Sequence, residues 1–176
     1  ETTIADVLRR PRDRKLIARD VVDMRQRLVK KAGSGNDDLW DLKMVRGGLL
    51  DIEFIAQYLH LRHGHDHPAI LATNTRSALK QCRDAGLLDT ATAGQLIEAL
   101  DLWQSIQGKL RLAVAGQIGK DWEDQVPRGL QDDLAKAGGA VDFATLKEKM
   151  RSVAATTHAH FRALIETPAT ARNKES

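Results

Sequence analysis

The chain has 176 residues and a formal net charge of +3, with 42% hydrophobic, 29% charged and only 4% aromatic residues. That length suits one compact domain able to bury a core, and the weight of Ala, Leu, Arg, Asp and Gln favours helices over a sheet. The single cysteine, Cys82, excludes an internal disulfide and a cysteine zinc site and fits a reducing compartment, with the cytoplasm as the expected location. No apolar run approaches the roughly 20 residues of a membrane span, and Glu1-Thr2-Thr3 does not open a signal peptide. The absent initiator Met suggests an excised fragment.

In chain order, Pro11 breaks a short amphipathic start, and Asp13 is placed to cap a helix with the apolar line Ile17, Val21, Met24 and Leu28, ending near Gly33. Between Arg10 and Lys31, nine basic residues face Asp13, Asp20 and Asp23, a local rather than global excess of positive charge. Residues 34–46 read as a mobile connector, polar and glycine-containing at first and then extended from Leu39 to Val45 into the pair Gly47-Gly48. From about Leu49 to His63, Ile52, Ile55 and Leu59 with Phe54, Tyr58 and Leu61 predict a strongly apolar helix in a central position, closed by Gly64. Asn74 or Thr75 starts a shorter helix ending at Gly86, and Asp89 caps the next. That next helix, Thr90 to about Gln117, keeps helical apolar spacing through Leu96, Leu100, Trp103, Ile106 and Leu110 and is expected to be the longest. A loop from Gly119 to Pro127 precedes a short helix near Gly129 to Ala137. Gly138-Gly139 then stops the chain, Asp142 caps a last helix carrying Leu146, Met150 and Phe161, and 167–176 reads as a frayed tail. The sum is an all-α fold, a single helical bundle of about five to seven helices over residues 1–176.

The densest pattern runs from Asp41 to Gln57, where two glycines precede Asp51-Ile52-Glu53. On a strand the two acids would share a face and could share a divalent cation; on a helix they diverge by about 200°. The flanking period is helical, so a shared metal is disfavoured. Glu53 instead aligns with Gln57, His60 and Gly64 in a narrow polar stripe, while Asp51 falls in the first turn, where it can favour the positive helix end, cap amides or face a ligand across the glycines. Glycines permit close backbone approach, and Lys43 and Arg46 add charge suited to phosphate, although the strand and the GKS/T context of a P-loop are missing.

The run Lys43…Gly47-Gly48…Asp51-Ile52-Glu53-Phe54…Gln57 resembles the helical domain that follows a nucleotidyltransferase domain in the glutamine synthetase adenylyltransferase family. The resemblance continues through Ala56-Gln57-Tyr58-Leu59, Leu61-Arg62, His65 and Pro68, and includes Pro11-Arg12-Asp13 and Asp20-Val21…Met24-Arg25. It covers about residues 11–88 and thins to helix pattern and length from Thr90; Gln107-Gly108 departs from the acidic and larger residues expected there. A related signature accompanies the uridylyltransferase that modifies the PII signal protein. Members are bifunctional, one half attaching AMP to glutamine synthetase and the other removing it, and the Asp-Ile-Glu-Phe form looks more like the adenylylating half. The family's catalytic Gly-Ser turn followed by Asp-x-Asp is missing: Gly33-Ser34 lies in a polar linker, and Asp37-Asp38 follows too soon.

The resemblance therefore implies an accessory domain, inactive in isolation, following an N-terminal nucleotidyltransferase domain that would hold ATP and Mg2+, with no cofactor tightly bound to this fragment. It implies nucleotide-binding or domain-junction roles for Arg25, Lys43, Gly47, Gly48, Asp51, Glu53 and Gln57, and glutamine synthetase and PII as partners. Two rival classes remain: a nucleic-acid-binding helical module resting on the basic stretch, which lacks a recognition motif or interleaved aromatics, and a protein–protein module with no nucleotide role. His60, His63, His65 and His67 crowd around Asp66 and invite a zinc site, but Gly64 and Pro68 indicate a loop without a helical i, i+4 pair, so solvated histidines are expected. Cys82 reads as a buried core thiol. Trp40, Trp103 and Trp122 are too dispersed to form a stacking platform, with Trp103 on the core stripe.

Overall fold

The computed structural model describes residues 13–33, 38–113 and 122–170. The fold is all-α, with six main helices and no strand among the described residues. Helix α1 (Arg14–Ala32) starts where the Asp13 carboxylate accepts from the Lys15 and Leu16 amides at 2.8 and 3.1 Å, and stops at Gly33, whose φ of +67° closes the last turn. Helix α2 (Leu49–His63) is followed by a 3₁₀ turn (Pro68–Ile70) and α3 (Thr75–Asp84), which Asn74 caps through the Ser77 amide at 2.9 Å. Past Gly86, the amides of Leu87 and Leu88 both return to the Cys82 carbonyl. Helix α4 (Thr90–Ala113) is capped by Asp89 through the Thr92 amide at 2.8 Å, and its 24 residues make it the longest described helix. Short α5 (Trp122–Gln125) and α6 (Arg128–Ala137) lead to α7 (Phe143–Phe161), capped by Asp142 through the Thr145 amide at 2.7 Å. A π turn (Arg162–Glu166) and α8 (Thr167–Thr170) finish the described chain. The expected boundaries at Pro11, in 34–37 and around Gln117 and Gly119 lie outside the described residues.

Helix α2 is central because its apolar residues fall on more than one face: Ile52 and Ile55 are fully buried, with Tyr58 and Leu59 almost so, and it touches α1, α3, α4 and α7. Helix α4 packs against α3, α6 and α7, placing Leu96, Leu100, Trp103 and Ile106 in the same core. On α1 the buried line differs from the expected one. Ile17 and Val21 face inward, but Met24 is 48% exposed and the next inward position is Arg25, at 7%. The i, i+4 row from Ile17 through Val21 ends on a charged residue because its partner, described below, lies in the interior.

Two segments expected to be loose are anchored. From Asp38 the chain coils through tight turns rather than extending, and Trp40, Leu42 and Val45 are buried. Trp40 stacks on Phe143 (ring centroids 5.5 Å apart, planes at 13°) and meets the Trp122 ring edge-on at 4.7 Å. Its indole N–H donates to Glu123 Oε1 at 2.6 Å, and Lys147 Nζ donates to the other Glu123 oxygen at 2.8 Å. Trp40 and Trp122 thus meet in space despite their separation in sequence, and they clamp the turn segment to α5 and α7. At the other end, residues 167–170 continue as helix, while the rest of the expected tail, 171–176, lies outside the described residues. Ala169 is buried, and its carbonyl accepts from Arg19 Nε at 3.1 Å, tying the end of the described chain to α1.

Cys82 is fully buried, and burial pushes its thiol pKa up to about 11. A thiol reagent at pH 8 is expected to leave the folded chain unlabelled and to react fully in denaturant, which a mass-spectrometric time course measures directly.

Candidate functional site

The two glycines and Asp51 build one local structure. Asp41 begins a set of turns in which its carboxylate accepts the Met44 amide at 3.1 Å and its carbonyl accepts the Val45 amide at 2.9 Å. The chain then folds back, and the Leu49 and Leu50 amides donate to the Leu42 and Lys43 carbonyls. Gly47 sits at φ +77°, and a Cβ there would collide with the Ala154 backbone on α7. A Cβ at Gly48 would lie 2.6 Å from the Leu42 carbonyl oxygen. The close approach that these glycines permit is therefore to protein backbone, which is why the turn tolerates no side chain at either position.

Asp51, in the first turn of α2, is 0% exposed. Arg25 approaches it with both arms of its guanidinium, Nε onto Oδ1 and an Nη onto Oδ2 at 3.2 Å, while the Gly47 amide donates to Oδ2 at 2.7 Å. The Gly47 carbonyl in turn accepts from the Trp103 indole at 3.1 Å. Arg25 also lies over the Phe161 ring, 5.7 Å from its centroid. One buried network thus joins α1, the glycine turn, α2, α4 and α7. Both Asp51 oxygens are engaged and Glu53 points elsewhere on the helix, so these two acids do not fit a shared Mg2+, and among the described residues no three His, Cys, Asp or Glu side chains gather in an arrangement that could hold a metal.

His158 on α7 completes the surroundings. Its Nδ1 is 4.0 Å from Asp51 Oδ2 and hydrogen-bonds to no described residue. Burial holds its pKa below the ordinary value, opposed by the negative charges of Asp51 and Glu166 and reinforced by Arg46 and Arg25. His60 is likewise lowered by burial, against a hydrogen bond with the Ile70 backbone, and His160 by burial against Asp89.

Of the residues singled out in the sequence, the structure brings Arg25, Gly47, Gly48 and Asp51 together in the interior. Lys43 and Gln57 are exposed and Glu53 is half-buried. The polar stripe is divided, since Glu53 and Gln57 reach solvent while His60 and Gly64 are buried. Trp103, Ala154 and His158 belong to the network but carried no motif signal; Trp103 alone was visible, as a core residue. The four histidines near Gly64 also differ from expectation. Gly64 keeps helical geometry (φ −62°, ψ −20°), and the His67 amide donates to the His63 carbonyl at 2.8 Å, so His63 and His67 do stand one helical turn apart.

A helical bundle closed over this glycine turn belongs to a defined class. Residues 16–165 match the sequence model of the family described as GlnD PII-uridylyltransferase, and the chain belongs to that family. Among curated proteins it is 41% identical over 165 residues to the bifunctional glutamine synthetase adenylyltransferase/adenylyl-removing enzyme of Rhodopseudomonas palustris (strain TIE-1), covering 94% of this chain and 16% of that protein. The protein of the same description from Bradyrhizobium diazoefficiens is 39% identical over 171 residues, 96% of this chain and 17% of its own length. This chain therefore spans about one sixth of the relatives it matches. No solved structure matches it significantly.

Removing one partner of the buried pair leaves the other charge in the interior. Asp51→Ala is expected to destabilise the fold by about 3–5 kcal/mol in denaturant unfolding, whereas the double substitution Arg25→Met/Asp51→Leu recovers most of the loss. Stability is also expected to depend on pH. His60, His158 and His160 have folded-state pKa values below the ordinary 6.5, so the unfolded chain takes up more protons as pH falls through 6.5. Their neutral-state contribution is complete above that pH and is lost progressively below it, and His158→Gln should flatten part of the slope of Tm against pH.

Proposed function

We propose that this chain is the accessory helical domain of a glutamine synthetase adenylyltransferase, set beside a nucleotidyltransferase domain that precedes it in the longer protein. Identity of about 40% over 94% of the chain to proteins of that description supports the placement. In this reading ATP and Mg2+ are held by the neighbouring domain, AMP passes to a tyrosine of glutamine synthetase, PII is the signalling partner and the protein works in the cytoplasm. No described helix is long and apolar enough to cross a membrane.

This chain's own contribution divides in two. Arg25, Gly47, Gly48 and Asp51 are the frame: they fix the backbone between Leu42 and Leu50. Lys43, Glu53 and Gln57, with Arg46, form the junction face. The observation that carries this division is burial: the first four are inside the protein, while Lys43 and Arg46 present their side chains to solvent from a turn pinned on both sides and Gln57 does so from α2. Lys43 and Arg46 supply positive charge toward phosphate groups at the domain junction, and Glu53 and Gln57 offer hydrogen-bond partners along the adjoining helix.

Lys43→Glu in the full-length enzyme tests the division. Adenylylation is expected to fall about tenfold or more, equal to about 1.4 kcal/mol of transition-state stabilisation, with Tm unchanged because the side chain is exposed. A loss confined to adenylylation assigns the domain to that half of the reaction cycle, a loss confined to AMP removal assigns it to the other, and unchanged rates in a folded protein overturn the role of Lys43.

A further inference from the structure

The C-terminal end of α2 carries a feature that the nucleotide-transfer reading does not use. Because Gly64 stays helical, the chain makes one more turn beyond the last residue of α2: the Gly64 amide bonds to the His60 carbonyl and the His67 amide to the His63 carbonyl, both at 2.8 Å. Side chains four residues apart on such a turn lie on one face. The His63 and His67 rings are accordingly neighbours, with centroids 6.4 Å apart and planes at 63°. His63 is half-buried and His67 is exposed, so the pair opens to solvent.

We propose that His63 and His67 form a bidentate site for a borderline transition-metal ion of the Zn2+, Ni2+ or Cu2+ type, with water completing the coordination shell. Imidazole nitrogens bind such ions at about 2.0–2.1 Å, and a tetrahedral ion held by two imidazoles needs ring centroids about 5 Å apart. Closing that difference would take a turn of the exposed His67 ring toward His63. Hard cations are not expected here, since the site offers nitrogen donors and Mg2+ and Ca2+ select oxygen. Neither neighbouring histidine is a third ligand: His60 is buried within the bundle, and His65 is turned toward Asp66, with Nε2 at 3.9 Å from Oδ1. With two protein ligands, the ion is exchangeable. Binding would staple the end of α2 to the chain leading into the Pro68–Ile70 turn, which packs on α3.

Titrating the chain with Zn2+ or Ni2+ alone, while following the imidazole resonances by NMR, tests the site. The expected result is one ion per chain, micromolar affinity, and shifts concentrated on His63 and His67. His63→Gln and His67→Gln should each weaken binding by about tenfold or more, while His65→Gln leaves it unchanged. Circular dichroism of each variant confirms that helix content is retained. Undiminished affinity in the His63→Gln/His67→Gln double variant, shifts confined to other histidines, or binding only at millimolar metal would each overturn the proposal.

Discussion

A carboxylate sealed from water must be matched, and the arrangement around Asp51 follows from that requirement. Burying an isolated charge is costly enough that such a group is either neutralised or acquires partners, and Asp51 has acquired two kinds: a guanidinium approaching with both arms and a backbone amide. Each partner fixes an element. Arg25 sets the rotation of α1, which is why Met24, the residue an amphipathic pattern would bury, faces solvent. The Gly47 amide sets the path of the chain into α2. Ion pairs of this kind add little net stability over a well-packed apolar replacement; what this one supplies is register between α1, the turn and α2.

The turn is held by the same logic from its other side. Its left-handed Gly47 lets the backbone press against Ala154, and its carbonyl is taken up by Trp103, so two helices remote in sequence, α4 and α7, close on this one residue. An added methyl group at Gly47 would have to displace backbone rather than a flexible side chain. Glycine is needed here for contact with the protein's own chain, and phosphate affinity does not have to be invoked to explain it.

Much of this architecture could be read from the sequence because it is local. The caps at Asp13, Asn74, Asp89 and Asp142, the stops at Gly33 and Gly86 and the helical period of α2 and α4 depend on residues within four positions of one another. The divergence of Asp51 and Glu53 was legible for the same reason. The partnerships were not. Arg25 and Asp51 are 26 residues apart, Trp40 and Glu123 are 83 apart, and Gly47 and Trp103 are 56 apart. Nothing in a period of 3.6 residues reports such pairings. Arg25 in particular occupies a position where amphipathic patterning predicts an apolar side chain one residue earlier, and only the buried acid explains the shift. Gly64 ends α2 where its position indicated, but through right-handed rather than left-handed geometry, and the turn it keeps is what sets His63 beside His67.

The aromatic cluster and the ion-pair network act on the two ends of one short segment. Trp40 is locked to Phe143, Trp122 and Glu123; five residues on, Val45 is buried, and Gly47 is bonded to Asp51 and Trp103. Lys43 and Arg46 lie between or beside these anchors, with their backbone already ordered and their side chains outside. Ordering a loop on association costs free energy that would otherwise appear as affinity. A partner meeting these two cations orders only their side chains, because the folded core has already fixed the backbone that carries them. The buried charges thus serve the exposed ones: Asp51 and Arg25 need never touch a ligand for their loss to be felt at the surface, since the position of Lys43 depends on the peptide that they hold.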